Sequence, residues 1–230
     1  MGSSAAAEAD LAIEAAGQWG MFTAAQATRL GLTRKRLTQL TAAGRIHHTD
    51  TRGVYRFAGA PEDITLDTLR ALWLALDPES FAGERLRRLH TGGTDAVVSH
   101  LAAAHYVHGL GSLHPDHLDF TVTVPRRSNN PLVRFRVTEC TSFQVVAGLP
   151  VTTIAQTVAD LYGDGIDAGH LGDILTDALL SAAADMAAIT AALDPLTDNN
   201  GRDTILHALS VVGAPESLAE ANELLFASRR

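Results

Sequence analysis

The sequence predicts an α+β chain: a winged head of short helices and a β-hairpin, a mixed middle with a small antiparallel sheet, and a helical bundle at the end. Three observations carry this. Helix caps and stop glycines crowd the first 60 residues, the hydrophobic period shifts from helical to alternating near 119, and an Ala/Leu-rich helical run follows Pro150.

Residues 5–16, AAAEADLAIEAA, are rich in helix formers, with Leu11 and Ile13 as expected anchors. Thr23 is an N-cap, and Gln26 three residues on completes a capping box. Gly31 ends that helix. Thr33 caps a second one over Arg34 to Ala43, with Leu37 and Leu40 on its buried face and Gly44 as its stop. Ile46–His48 and Val54–Phe57 are short strand-like runs around a loop that ends in Gly53. Helix, tight turn, helix and hairpin is the layout of a winged helix-turn-helix, whose second helix enters the DNA major groove.

A boundary is expected at Gly59-Ala60-Pro61, giving a DNA-binding domain over 1–60 and a second domain over 61–230. Beyond it, helices are expected over Thr65–Leu76, Phe81–His90 and Ala96–His108. Asp119–Val124 and Val133–Val137 both alternate around Ser128-Asn129-Asn130-Pro131, which reads as a second hairpin, with Phe143–Val146 as a third strand. From about 150 the chain reads as helices over 153–162, 167–184, 185–193, 203–211 and 216–228, with Pro215 suited to the first turn of the last.

Charge separates the two ends. The net charge is −8, yet from Gly17 to Ala60 seven basic residues face one acidic residue, a net of +6. Residues 150–230 carry three basic and twelve acidic residues, a net of −9. The head can meet phosphates by attraction and the far end is repelled by them. No apolar run approaches the roughly 18 residues of a membrane helix. The start lacks a secretory signal, and the one cysteine, Cys140, fits a reducing cytoplasm.

Four stretches together resemble the AbiEi-type antitoxins: GMFTAAQATRLGLTRKRLTQLTAAGRIHHTDTRGVYRF in the head, VVSHLAAAHYVHGL (97–110), LDFTVTVPRR (118–127) and LPVTTIAQTVADL (149–161). Their order and spacing agree with that family over about residues 15–165. Gln156 departs from it, standing where the family motif has arginine. The resemblance implies a transcriptional autorepressor of a toxin–antitoxin operon, of the type IV abortive-infection kind. It also implies binding to inverted-repeat operator DNA in its own promoter, as a dimer or by cooperative assembly. The C-terminal part would counter a nucleotidyltransferase toxin, with or without a direct complex.

The DNA-contacting residues expected are Arg34, Lys35, Arg36, Thr38 and Gln39 on the second helix, and Arg52 and Arg56 on the wing. Cations at a helix N-terminus oppose the macrodipole, so helix stability alone does not select them, whereas phosphate and guanine do. Tyr55 is expected to pack, and Arg126-Arg127 to form an exposed basic edge.

No catalytic residue, metal or cofactor is expected. His100, His105 and His108 sit near His114 and His117, but without the three or four convergent ligands that zinc needs. Ser99 and His100 are sequence neighbours and would diverge on a helix, and Glu139 beside Cys140 raises its thiol pKa. Two other classes remain open: a winged-helix regulator with a ligand-sensing C-terminal domain, and a metal-dependent enzyme using the histidine-rich middle. The acids Asp164, Asp167, Asp173, Asp177, Asp185, Asp194, Asp198 and Asp203 suggest either a polar bundle face or a surface that counters the toxin.

Overall fold

In the computed structural model, which describes residues 2–93, 95–139, 142–215 and 217–228, the chain opens on α1 (Gly2–Ala16). Ala7, Leu11 and Ala15, four apart, form its buried stripe. Ile13 is 71% exposed, contrary to expectation, because two positions from Leu11 is nearly the opposite side of a helix.

A strand missed in the sequence, β1 (Met21–Thr23), follows. It is three residues long and buried throughout, so it shows no alternation to detect. Then come α2 (Ala24–Arg29), α3 (Arg34–Ala42), β2 (Ile46–His48) and β3 (Val54–Phe57). Thr23 makes both halves of its capping box with Gln26, and Thr33 accepts from the Arg36 amide. Gly31 and Gly44 both take positive φ just past the two helices. The three strands form an antiparallel sheet in the order β1-β3-β2. Phe22, Leu37, Leu40 and Ile46 share the core beneath it.

The first compact unit does not stop at Gly59-Ala60-Pro61 but continues to Ala96, through α4 (Asp67–Leu76) and α5 (Ala82–His90). The reason is chemical. Phe81 belongs to the head's apolar core. Gln26 donates to the Ser80 carbonyl at 2.7 Å, Gln18 accepts from the Ala82 amide at 2.9 Å, and Thr23 donates to the Pro78 carbonyl. Arg85 and Asp95, both fully buried side chains, make a two-pronged pair at 2.6 and 2.8 Å. The Arg85 guanidinium also lies 3.6 Å from the Trp73 ring centroid.

The second unit starts at Val97. It holds a five-stranded mixed sheet in the order β6-β5-β4-β8-β7. The strands are β4 (Val97–Val98), β5 (Leu118–Val122), β6 (Val133–Val137), β7 (Phe143–Val146) and β8 (Leu149–Thr152). Three expectations are corrected here. Val97 and Val98 are not helical but a buried strand inside the sheet. β5 and β6 are not a hairpin: they pair in parallel, Phe120 opposite Phe135, with 123–132 carrying the chain back. The sheet is therefore mixed rather than antiparallel. Leu149–Thr152 is a further strand, closed onto β7 by a two-residue turn with Ala147 and Gly148 both at positive φ.

The expected helix over 96–108 reduces to a short α6 (His100–Ala102) and a π-helical turn, Ala103–His108. The remainder is α7 (Ile154–Gly163), α8 (Ala168–Leu180), α9 (Met186–Leu193), α10 (Gly201–Val211) and α11 (Ser217–Ala227). Their apolar faces build one core around Ile174, Leu175, Ile189 and Ile205. Pro215 precedes α11, and its carbonyl accepts from the Leu218 amide. Among the described residues no helix is long and apolar enough to cross a membrane. Cys140 lies outside the described residues.

Candidate nucleic-acid interface

α3 is anchored by its Thr33 cap and by Leu37 and Leu40, each 2% exposed. That fixes which side faces out. Arg34, Lys35, Thr38 and Gln39 are exposed along it, as the period predicts. Thr38 Oγ1 donates back to the Arg34 carbonyl at 3.1 Å, so its methyl and oxygen lie close to the helix surface. Arg34 and Lys35 make no ion pair among the described residues.

Arg36 is committed differently. Its Nε donates to Glu8 Oε1 at 2.5 Å, and Arg45 reaches Glu8 Oε2 at 3.1 Å. The hydrogen bond from Arg36 is the chief cause holding the Glu8 carboxyl below its ordinary pKa, against the opposing effect of burial. Arg36 also donates to Gln39 Oε1 at 3.3 Å, which orients the Gln39 amide. Arg36 thus fastens α1 to α3 and presents Gln39 rather than standing free.

The wing places its two arginines on opposite sides. Arg52, at the tip, is exposed and makes no ion pair among the described residues. Arg56 is buried, with Nη2 at 2.5 Å from Asp67 Oδ2 and Nη1 donating to the Pro61 carbonyl at 3.2 Å. It is not available to phosphate. In a strand alternate residues share a face, so Arg56 turns inward with Val54 and ties the wing to α4. Tyr55 packs, its ring stacked 5.6 Å from Phe22.

Arg34 and Arg52 come together on one cleft of about 640 Å³. Thr28, Arg29, Pro78 and Glu79 also line it. Arg29, which the sequence did not single out, is held by Glu84 in a two-pronged pair at 2.5 and 2.7 Å and by the Glu79 carbonyl. Arg29 in turn is the main cause drawing the Glu84 carboxyl down to about 2. No sequence signal marks these pairings, because the partners are 55 residues apart.

In the second unit the histidines disperse. His108 Nε2 meets the Thr152 carbonyl at 2.8 Å, and the His105 and His114 rings lie 4.3 Å apart. His100 lies 3.9 Å from both Asp160 and Asp164. Among the described residues no group of three or more His, Cys, Asp or Glu side chains is placed to hold a metal ion. Ser99 and His100 do meet, contrary to expectation: Oγ and Nδ1 are 2.9 Å apart. Ser99 is extended and His100 sits at φ 54°, so helical geometry does not apply to them. Ser99 is fully buried. Gln156 donates to Asp160 at 2.8 Å, a neutral contact where arginine would bring a charge. Arg126 and Arg127 are exposed on the connection from β5 to β6; β6, not β5, is the sheet's edge.

Residues 10–58 match the family model described as transcriptional regulator, AbiEi antitoxin. That family is one of antitoxin transcriptional regulators, and the matched segment is the winged head. The motifs at 97–110, 118–127 and 149–161 lie outside the match. No curated protein matches the chain. Among solved structures, the crystal structure of the RV2827C protein from Mycobacterium tuberculosis is similar at a TM-score of 0.49 and 14% identity, over 94% of this chain and 81% of that one.

Proposed function

With an AbiEi-type antitoxin head as the starting point, we propose that the chain represses its own toxin–antitoxin operon by binding an inverted repeat in the promoter. α3 enters the major groove. Arg34 and Lys35 neutralise phosphate or reach guanine, Gln39 reads adenine, and Thr38 contacts the backbone. Arg52 on the wing fixes register from the flanking groove. One observation carries this reading: Arg34 and Arg52, both exposed and without ion pairs among the described residues, line the same cleft. An inverted repeat takes two heads, through a dimer or cooperative monomers.

The part beyond the head, 61–230, is proposed to neutralise a nucleotidyltransferase toxin, acting in the cytoplasm and with no catalytic step of its own. The acidic balance after residue 150 supports a surface that meets a basic partner or repels nucleic acid. Charge reversal at Asp203 and Glu220, both exposed, should abolish neutralisation in co-expression while DNA binding persists. Full neutralisation by that variant would remove the assignment.

The test of repression is a salt-dependent mobility shift on the upstream DNA. Arg34→Ala/Lys35→Ala should weaken binding about tenfold or more and lower the salt slope by roughly two. Arg36 is left intact because its loss would also release Glu8. Unchanged affinity and slope would mean that α3 is not the recognition helix.

A further inference from the structure

A second concavity in the first unit, of about 760 Å³, lies apart from the α3 surface. Ala12 and Ala16 of α1 form one wall, Phe57, Ala58 and Pro61 form the other, and Trp19 lies between them. Its size falls within the range of small-molecule pockets, and its lining is mostly apolar.

Two features show that the groove is built rather than incidental. Trp19 takes φ 62°, a conformation unusual for so bulky a side chain. Gly20 beside it, at φ 72°, lies so close to Ala60 that an added Cβ would sit 2.2 Å from the Ala60 Cβ. This close approach, with Phe57 N donating to the Gly20 carbonyl at 2.9 Å, sets the two walls at their spacing. The Trp19 indole is braced below by the Arg70 guanidinium, 5.1 Å from the ring centroid, and at its edge by Trp73.

The charges select the occupant. Arg70 is nearly buried and paired with both Asp63 and Asp67, so it offers no net attraction to an anion. Glu62 is 77% exposed, with Arg56 at the 4.0 Å limit of an ion pair. The groove is therefore lined by Trp19, Phe57 and the largely exposed carboxylate of Glu62, which Arg56 approaches only loosely. We propose that it binds a planar aromatic cation, its ring against Trp19 and Phe57 and its charge toward Glu62. This stands independently of the DNA reading, since neither Arg34 nor Arg52 lines the groove.

The chain has two tryptophans, so its ¹H–¹⁵N spectrum carries two indole N–H signals, which Trp19→Phe assigns. Full-length protein is titrated with 1-methylquinolinium and, separately, with 2-naphthoate. The expected result is a saturable shift of the Trp19 signal by the cation, with Kd below about 1 mM. The Trp73 signal stays nearly still and naphthoate does not saturate. Glu62→Gln, at a surface position that leaves the fold intact, should weaken the cation about threefold. A Trp19 signal that does not saturate, equal binding of naphthoate, or unchanged affinity in Glu62→Gln would each overturn the proposal. So would a Trp19 shift on simple dilution of the protein, which would mean that a second copy fills the groove.

Discussion

The cations of α3 and the acids of the C-terminal helices look symmetrical in the sequence, one block positive and one negative, but they are used in opposite ways. Arg34 and Lys35 stand exposed, without ion pairs among the described residues. Most of the acids are tied down. Asp167 caps α8 and Asp185 caps α9. Asp177 accepts from the Gly111 amide, Asp194 from the Gly201 amide, and Asp164 from Arg136. The carboxylates behind the formal charge of −9 after residue 150 keep that charge, but many of them are already engaged as hydrogen-bond acceptors within the fold. Availability, not sign or count, separates a binding face from a scaffold.

The sharpest way to break the comparison is to remove a charge that is wholly structural. Asp95→Asn would leave the Arg85 guanidinium buried opposite a neutral amide. The cost expected is about 3–5 kcal/mol, read as a large fall in the melting temperature. Arg34→Ala/Lys35→Ala, by contrast, should leave that temperature within experimental error. If the two variants melted alike, the division between structural and available charge would fail in the first unit.

The wing gives a smaller and more pointed contrast. Arg56→Ala should destabilise the protein by about 1–3 kcal/mol, since Asp67 and the Pro61 carbonyl each lose a buried donor. Arg52→Ala should leave stability unchanged and reduce the salt slope of DNA binding by about one. The opposite pattern would mean that the wing meets DNA through its inner face.

These residues also show how far the sequence could be read. Thr23, Gln26, Thr33, Gly31 and Gly44 signal locally, through caps and positive φ, and they delimit α2, α3 and the hairpin well. The exposure of Arg34, Lys35, Thr38 and Gln39 follows from helical period once Leu37 and Leu40 are core. The inward turn of Arg56, expected at the DNA, was not legible: alternation pairs it with Val54 but does not say which face is covered, and its partner Asp67 comes from α4. What stayed hidden is non-local. β1 and β4 are three and two residues long, and only pairing partners far along the chain define them. The direction of β5 against β6 depends on which way 123–132 travels, and an Asn-Pro turn signal does not say. Glu8 beneath Arg36, 28 residues away, leaves no local trace.

Acid should separate the two units. Burial is the main cause lowering the pKa of His100 and of His108 from an ordinary value of 6.5. Below that pH the unfolded chain takes up protons that the folded second unit refuses, so its stability falls as pH drops. The groups facing His100 temper this: Asp160, Asp164 and Asp119 favour its charged form and Arg136 opposes it. Burial raises Asp160, so at still lower pH the folded form takes up that proton first and recovers part of the loss. In the first unit Glu84, drawn to about 2, contributes stability that persists above its ordinary 4.5 and fades only below it. Both tryptophans belong to the first unit, while α7 to α11 lie in the second. Far-ultraviolet circular dichroism should therefore decline at higher pH than tryptophan fluorescence changes. Coincident transitions would show that the units titrate as one.

The smallest effect tests the acids directly. Asp185→Ala removes the N-cap of α9, where Oδ1 accepts from the Ala187 amide at 3.0 Å. The loss expected is about 1 kcal/mol, with the helix still formed because Met186, Ile189 and Leu193 remain buried. Asp203→Ala should cost less, since Asp203 lies in the first turn of α10 and adds only a favourable charge near its N-terminus. In co-expression with the toxin the order should invert: Asp203→Ala weakens neutralisation and Asp185→Ala does not, beyond its effect on protein level. If Asp185 mattered more in both assays, the antitoxic surface would have to include the caps themselves, and the line drawn between scaffold acids and partner-facing acids would move to α9.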